Sequence, residues 1–126
     1  MKRKLLSLTF LLCAICGFAA AEPAPQLPRL VDLGADKCIP CKLMMPVMAE
    51  LTKEYQGQME VVFIDVWKDR NAGKPYGIQV IPTQIFYNAA GKEIFRHEGF
   101  MAKKDILAKW SELGIEFKAP APQGKN

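Results

Sequence analysis

Two cysteines three residues apart, Cys38-Ile-Pro-Cys41, stand between a short apolar run, residues 29–33, and a longer segment in which Cys41, Met44, Met48, Leu51 and Tyr55 recur at steps of three and four. The first run reads as a strand and the second as one face of an amphipathic helix, so the cysteines fall at a strand-to-helix junction. In α/β proteins that junction lies at the carboxyl edge of the sheet, where sites are built. Pro40 is tolerated there, because its missing N–H falls in the first turn, where no helical bond is required. A disulfide spanning two residues closes too short a loop to stabilise a fold much through chain entropy. The pair therefore calls for a chemical role.

At a helix N-terminus the unpaired N–H groups and the helix dipole favour negative charge, so the Cys38 thiol is expected to ionise more readily than a free cysteine. Thiolate is the reactive form. Cys41, one turn inside, is placed to attack a mixed disulfide formed on Cys38 and release the substrate reduced. Two thiolates at this spacing could also serve a metal. Structural zinc wants four ligands, and beyond the first 21 residues His97 is the one histidine that could join the two thiolates. A two-thiolate Cu(I) site suits soft ligands, with Met44, Met45 and Met48 near by, although these read as helix core.

The N-terminus decides the compartment. A basic head, Met1-Lys-Arg-Lys4, precedes an apolar run over residues 5–20, and Ala19-Ala-Ala21 supplies the small residues of a cleavage site, so residues 1–21 read as an export signal. The alternative is an uncleaved membrane anchor, but the run is shorter than the roughly 20 residues that span a bilayer, and Pro23 and Pro25 follow. Cys13 and Cys16 would leave with the signal, placing the remaining pair in the periplasm or an equivalent space where disulfides persist. The formal charge of +4 also shrinks, since loss of Lys2, Arg3 and Lys4 leaves fourteen bases against thirteen acids, a net of +1. The basic charge of the full chain therefore gives no ground for a nucleic-acid or membrane-surface function.

Residues 22–28 and 118–126 are Pro-rich and aperiodic, and read as a flexible segment and a disordered tail around one domain, residues 29–117. Within it, residues 59–66 read as a buried strand. Residues 69–76 read as a weak helical or turn segment, and residues 83–87 and 93–97 as strands joined by a Gly-containing hairpin. Residues 103–113 read as a helix with Ile106, Leu107, Trp110 and Leu113 inward. Pro46 is expected to kink the first helix. The order implies an α/β fold with a mixed, four-stranded central sheet flanked by helices on its faces.

The chain resembles the thioredoxin family over nearly all of this domain. The resemblance rests on Val31-Asp-Leu33 leading to Cys38-Ile-Pro-Cys-Lys42, Pro46, Glu54-Tyr-Gln-Gly57, Tyr76-Gly-Ile78, Ile81-Pro-Thr83 and Gly99. It implies a thioredoxin-like fold that lacks the family's first strand and helix. It also implies that Asp32 is the buried acid that assists proton removal from Cys41. Burial would raise the pKa of such an acid, the alternative being a side chain facing solvent beside Gly34. Pro82 matches the family's cis-proline beside the disulfide. The backbone of Ile81 would pair with an extended substrate, and Gly99, with Ile39 and Pro40, would line the same groove.

Departures from the family bear on substrate choice and potential. Lys37 stands where most thioredoxins carry Trp, Gly34 replaces another aromatic, Ile39 replaces Gly, and Phe63 takes the place of a buried Lys. Lys37 and Lys42 flank the cysteines, and His97 has no catalytic role. The expected function is extracytoplasmic reduction of protein disulfides by a monomer without cofactor or metal. A membrane thiol donor would recharge it, since no NADPH-binding feature is present. A disulfide-forming oxidase or a copper-handling protein are the alternatives.

Overall fold

The computed structural model describes residues 26–120. The expected export signal, most of the segment 22–28, and residues 121–126 of the tail lie outside the described residues. The elements run β1 (Arg29–Gly34), α1 (Ile39–Glu54), β2 (Glu60–Asp65), a single 3-10 turn (Lys74–Tyr76), β3 (Thr83–Tyr87), β4 (Glu93–Glu98) and α2 (Lys103–Glu112).

The four strands are ordered β2-β1-β3-β4. β1 pairs in parallel with β2 across the α1 crossover, and antiparallel with β3, which continues antiparallel to β4. The β3–β4 hairpin is closed by local chemistry: Asn88 Oδ1 accepts the N–H groups of Ala90 and Lys92, and Gly91 takes the positive φ the turn needs.

β1 is central, and Leu30 through Gly34 are all buried. Its side chains alternate between two cores. Leu30 joins Phe86, the α1 residues Met44, Met48 and Leu51, and the α2 residues Ile106 and Trp110. Val31 and Leu33 join Ile85 on the opposite face, with Tyr76 and Ile78 packed against them. Both α-helices thus cover one face, and the segment around the 3-10 turn covers the other. Trp110 anchors the helical side, its ring 4.8 Å from Phe86 and 5.7 Å from Phe117. Lys103 ties the helices together through Glu50 and Glu54, at 2.7 and 2.9 Å.

Several expectations change. β2 is half-buried rather than buried, because it is an edge strand with a partner on one side alone among the described residues. Its branched residues still feed both cores, Val61 on one side and Val62 and Ile64 on the other. α1 is a single helix with Pro46 inside it, so the proline does not end it. Met44 and Met48 are core, whereas Met45, off the apolar stripe, is exposed. On α2, Ile106 and Trp110 are fully buried, and Leu107 and Leu113 pack at the margin. Lys118, assigned to the tail, is held by Gln58, whose side chain accepts from its N–H and donates to its carbonyl. Among the described residues no helix is long and apolar enough to cross a membrane.

Candidate active site

Cys38 is the N-cap of α1, extended at φ −82° and ψ 121°, and its Sγ accepts from the N–H of Cys41 at 3.4 Å. The two cysteines are joined as a disulfide, their Cα atoms 5.2 Å apart. Cys38 is half-buried, whereas Cys41 is 1 % exposed. This asymmetry follows from the helix: the cap residue stands at the sheet edge, and the residue one turn inside points back onto the strands.

Gly34 makes that approach possible. A Cβ on Gly34 would lie 3.2 Å from Cys41 Cβ, 3.3 Å from its Sγ and 3.1 Å from Phe63 Cε2. The missing aromatic at position 34 and the phenylalanine at position 63 are therefore one packing solution, in which the Phe63 ring occupies the side of Gly34.

The loop before Cys38 is held by Asp65 at the end of β2. Its Oδ2 accepts from the Asp36 N–H at 3.1 Å, and its Oδ1 from the N–H groups of Trp67 and Lys68 at 3.0 Å each. Desolvation would raise the pKa of Asp65, but the N–H groups of Lys68, Asp36 and Trp67, with the Lys68 ammonium, outweigh it and hold the carboxyl below its ordinary value. A surface cavity of about 450 Å³ opens here, lined by Asp36, Lys37, Trp67, Lys68 and Arg70.

Asp32 is fully buried, which rules out the solvent-facing alternative. It lies two residues before Gly34 on the same face of β1, so it is roughly 7 Å deeper beneath Cys41 by strand geometry. Its register neighbours are Phe63 on β2 and Gln84 on β3. Gln84 Nε2 donates to Asp32 Oδ1 at 2.8 Å, and Asp32 Oδ2 has no partner among the described residues. Burial pushes the carboxyl up to about 6, against the lowering effect of the Gln84 amide.

The Ile81–Pro82 peptide is cis, and Pro82 is buried. Leu33 pairs with Thr83, and Thr83 with Glu98. Pro82, Gly34 and Gly99 consequently meet at the sheet edge that carries Cys38. The Gly99 N–H donates to the Pro82 carbonyl at 2.8 Å, and its φ of +94° supplies a backbone reason for glycine that its groove position alone had not. A Cβ there would meet open space. Ile39, at 75 % exposure, and Pro40 are presented to solvent, while Ile81 is half-buried. His97 faces Gln84 in register, and its Nε2 lies 3.3 Å from the Phe100 carbonyl.

Three residues escaped the sequence reading: Gln84, Asp65 and Trp67. Gln84 had a signal, a polar side chain beside Thr83 in an otherwise apolar strand, but its partner is defined by register alone. Among the described residues no group of three or more His, Cys, Asp or Glu could hold a metal ion.

Comparison with known proteins agrees with this arrangement. The thioredoxin family profile matches residues 19–112. The chain is 40 % identical to a thioredoxin of Rickettsia conorii over 91 residues, which cover 71 % of this chain and 84 % of that one. It is 31 % identical to a thioredoxin of Pseudomonas aeruginosa over 81 residues, 64 % and 74 % of the two chains. A solved structure of a malarial protein superposes with a TM-score of 0.64 at 18 % identity, over 69 % of this chain and 97 % of its own. The chain belongs to the thioredoxin family, as a thiol–disulfide oxidoreductase that works without a cofactor through the Cys38–Cys41 pair.

Proposed function

We propose that this protein is an exported monomer that reduces disulfides in protein substrates and is recharged by a membrane thiol donor. The observation that carries the reading is the vertical order of the site: a half-buried cysteine at the helix cap, a buried cysteine one turn in, and a buried acid beneath it titrating at about 6.

In this mechanism the Cys38 thiolate attacks one sulfur of a substrate disulfide and expels the other as a thiolate. Asp32 takes the proton of Cys41. The Cys41 sulfur then attacks Cys38, the mixed disulfide breaks, and the substrate leaves with the two electrons as a dithiol, one proton returned from Asp32 and the other taken from solvent. The Cys38–Cys41 disulfide remains for the donor to reduce. Ile39, Pro40, Ile81, Pro82 and Gly99 form the edge on which an extended substrate would lie.

The reducing direction is supported by the Ile-Pro dipeptide, which places no histidine against the Cys38 thiolate, and by the retained acid. Equilibration with glutathione buffers tests it. The expected potential is that of a reductant, about 150 mV below the strong oxidants of this fold. A potential near those oxidants, with a Cys38 pKa well below about 5, would make the protein a disulfide-forming oxidase. Export is supported by residues 1–21, and N-terminal sequencing of the secreted protein is expected to begin at Glu22.

A further inference from the structure

An acid that accepts and returns a proton inside a dry site needs a partner that stabilises its charge without holding it ionised permanently. The elements around Asp32 leave few candidates. From β2 its neighbour is Phe63, which offers no polar group. From α1 comes Cys41, which packs on Gly34, two residues along β1 on the same face. Asp65, on the same face near the sheet edge, is engaged by Asp36, Trp67 and Lys68. His97 on β4 lies one strand beyond Gln84. Burial and the Gln84 amide are the two influences on the titration of Asp32, with no lysine or arginine among them.

Gln84 is itself fully buried, and uses half of its amide: Nε2 donates to Asp32 Oδ1, while Oε1 has no partner among the described residues. The residues that follow it in β3, Ile85 and Phe86, are fully buried and apolar. A leucine or methionine would fill this position without leaving a desolvated carbonyl, so packing does not account for the glutamine.

We propose that Gln84 is a positioning residue for the resolving step, its amide holding Asp32 Oδ1 in place of a cationic partner so that Oδ2 takes the proton of Cys41. The inference rests on the reading of Asp32 as that proton acceptor. A neutral amide suits both halves of the proton cycle. Nε2 donates to the ionised carboxylate, and the free Oε1 is an acceptor for the protonated acid after rotation about the terminal torsion. A lysine would favour the ionised form alone.

The test uses the reduced protein mixed with one equivalent of 5,5′-dithiobis(2-nitrobenzoate). The first thionitrobenzoate released reports attack by Cys38, and the second reports resolution by Cys41. Gln84→Met removes the amide at similar volume, with Gln84→Leu as the second variant should the first fail to fold. The expected result is a rise of about one pH unit in the midpoint of the second release, which is about tenfold slower below both midpoints. The carboxyl carbon resonance of Asp32 should titrate upward by the same amount. In an Asp32→Asn background, Gln84→Met should add nothing to the second release.

An unchanged Asp32 titration in a folded Gln84 variant overturns the proposal. Equal slowing in the Asp32→Asn background also does so, by making Gln84 a packing residue. If Asp32→Asn alone leaves the second release at the wild-type rate, the acid's role in the mechanism fails. The carboxyl titration then still decides whether Gln84 sets its proton affinity.

Discussion

Replacing Asp32 by Asn should raise the stability of the oxidised protein relative to the native chain as the pH rises from about 4 to neutrality, a gain that disappears as the pH falls. The carboxyl ionises near 3.8 when the chain is unfolded and at about 6 when folded. The folded state therefore binds this proton more tightly. The stability it confers is fully present below about pH 4 and is lost as the pH rises through 6. A displacement of about two pKa units, at 1.36 kcal/mol each, amounts to about 3 kcal/mol. Asparagine cannot ionise, so it escapes that loss. It carries instead a constant destabilising offset of about 1–3 kcal/mol, because its amide N–H would stand where Oδ2 lacks a partner among the described residues. The informative quantity is therefore the change in the variant's relative stability with pH. Urea unfolding of both oxidised proteins, followed by tryptophan fluorescence since Trp110 is fully buried, should show that difference growing by about 3 kcal/mol between pH 3.5 and 8. A difference that stays flat between pH 4 and 7 would refute a buried, proton-binding Asp32. The same variant should turn over slowly, at the resolving step.

Alkylation of the reduced protein at neutral pH is expected to label Cys38 far faster than the 1 % exposed Cys41, and Cys41→Ser to accumulate mixed disulfides; labelling that begins on Cys41 would reverse the two roles. Gly34→Ala forces a Cβ to 3.1–3.3 Å from Phe63 and Cys41 and should lower stability by about 1–3 kcal/mol, with partial recovery in Gly34→Ala/Phe63→Leu. A fully stable single variant, read by thermal unfolding, would show that this contact is not tight. Asp65→Asn should weaken the loop before Cys38. Because the folded pKa of Asp65 is depressed, the advantage of the native carboxylate is present above its ordinary pKa and is lost as the pH falls below about 4. An advantage that persists undiminished at pH 3 would contradict the hydrogen-bonding geometry.

The amino-acid sequence by itself determined the features whose information is local. The steps of three and four from Cys41 to Tyr55 specify a helix with one apolar face, and the cysteine pair with Pro40 marks where that helix begins. Asn88 closes a hairpin through its side-chain oxygen and Gly91 through its positive φ. Family resemblance then tied Asp32 and Pro82 to the same end of the sheet. What joins distant segments is a matter of register, and periodicity within one strand does not encode its alignment with another. Nothing in the residues around Gln84 announces that it bonds Asp32, 52 positions away. Nor does a run as apolar as residues 61–64 announce an edge strand, since its branched side chains serve both cores even when half-buried. Gly34 reads as a lost aromatic until α1 brings Cys41 down upon it and β2 sets Phe63 at its side. The tertiary structure decided these contacts because strand order and helix docking are settled by burial summed over the whole domain. The proton chemistry of the site depends on the outcome: a carboxyl that would titrate near 4 in water titrates at about 6 once the sheet and α1 have closed over it.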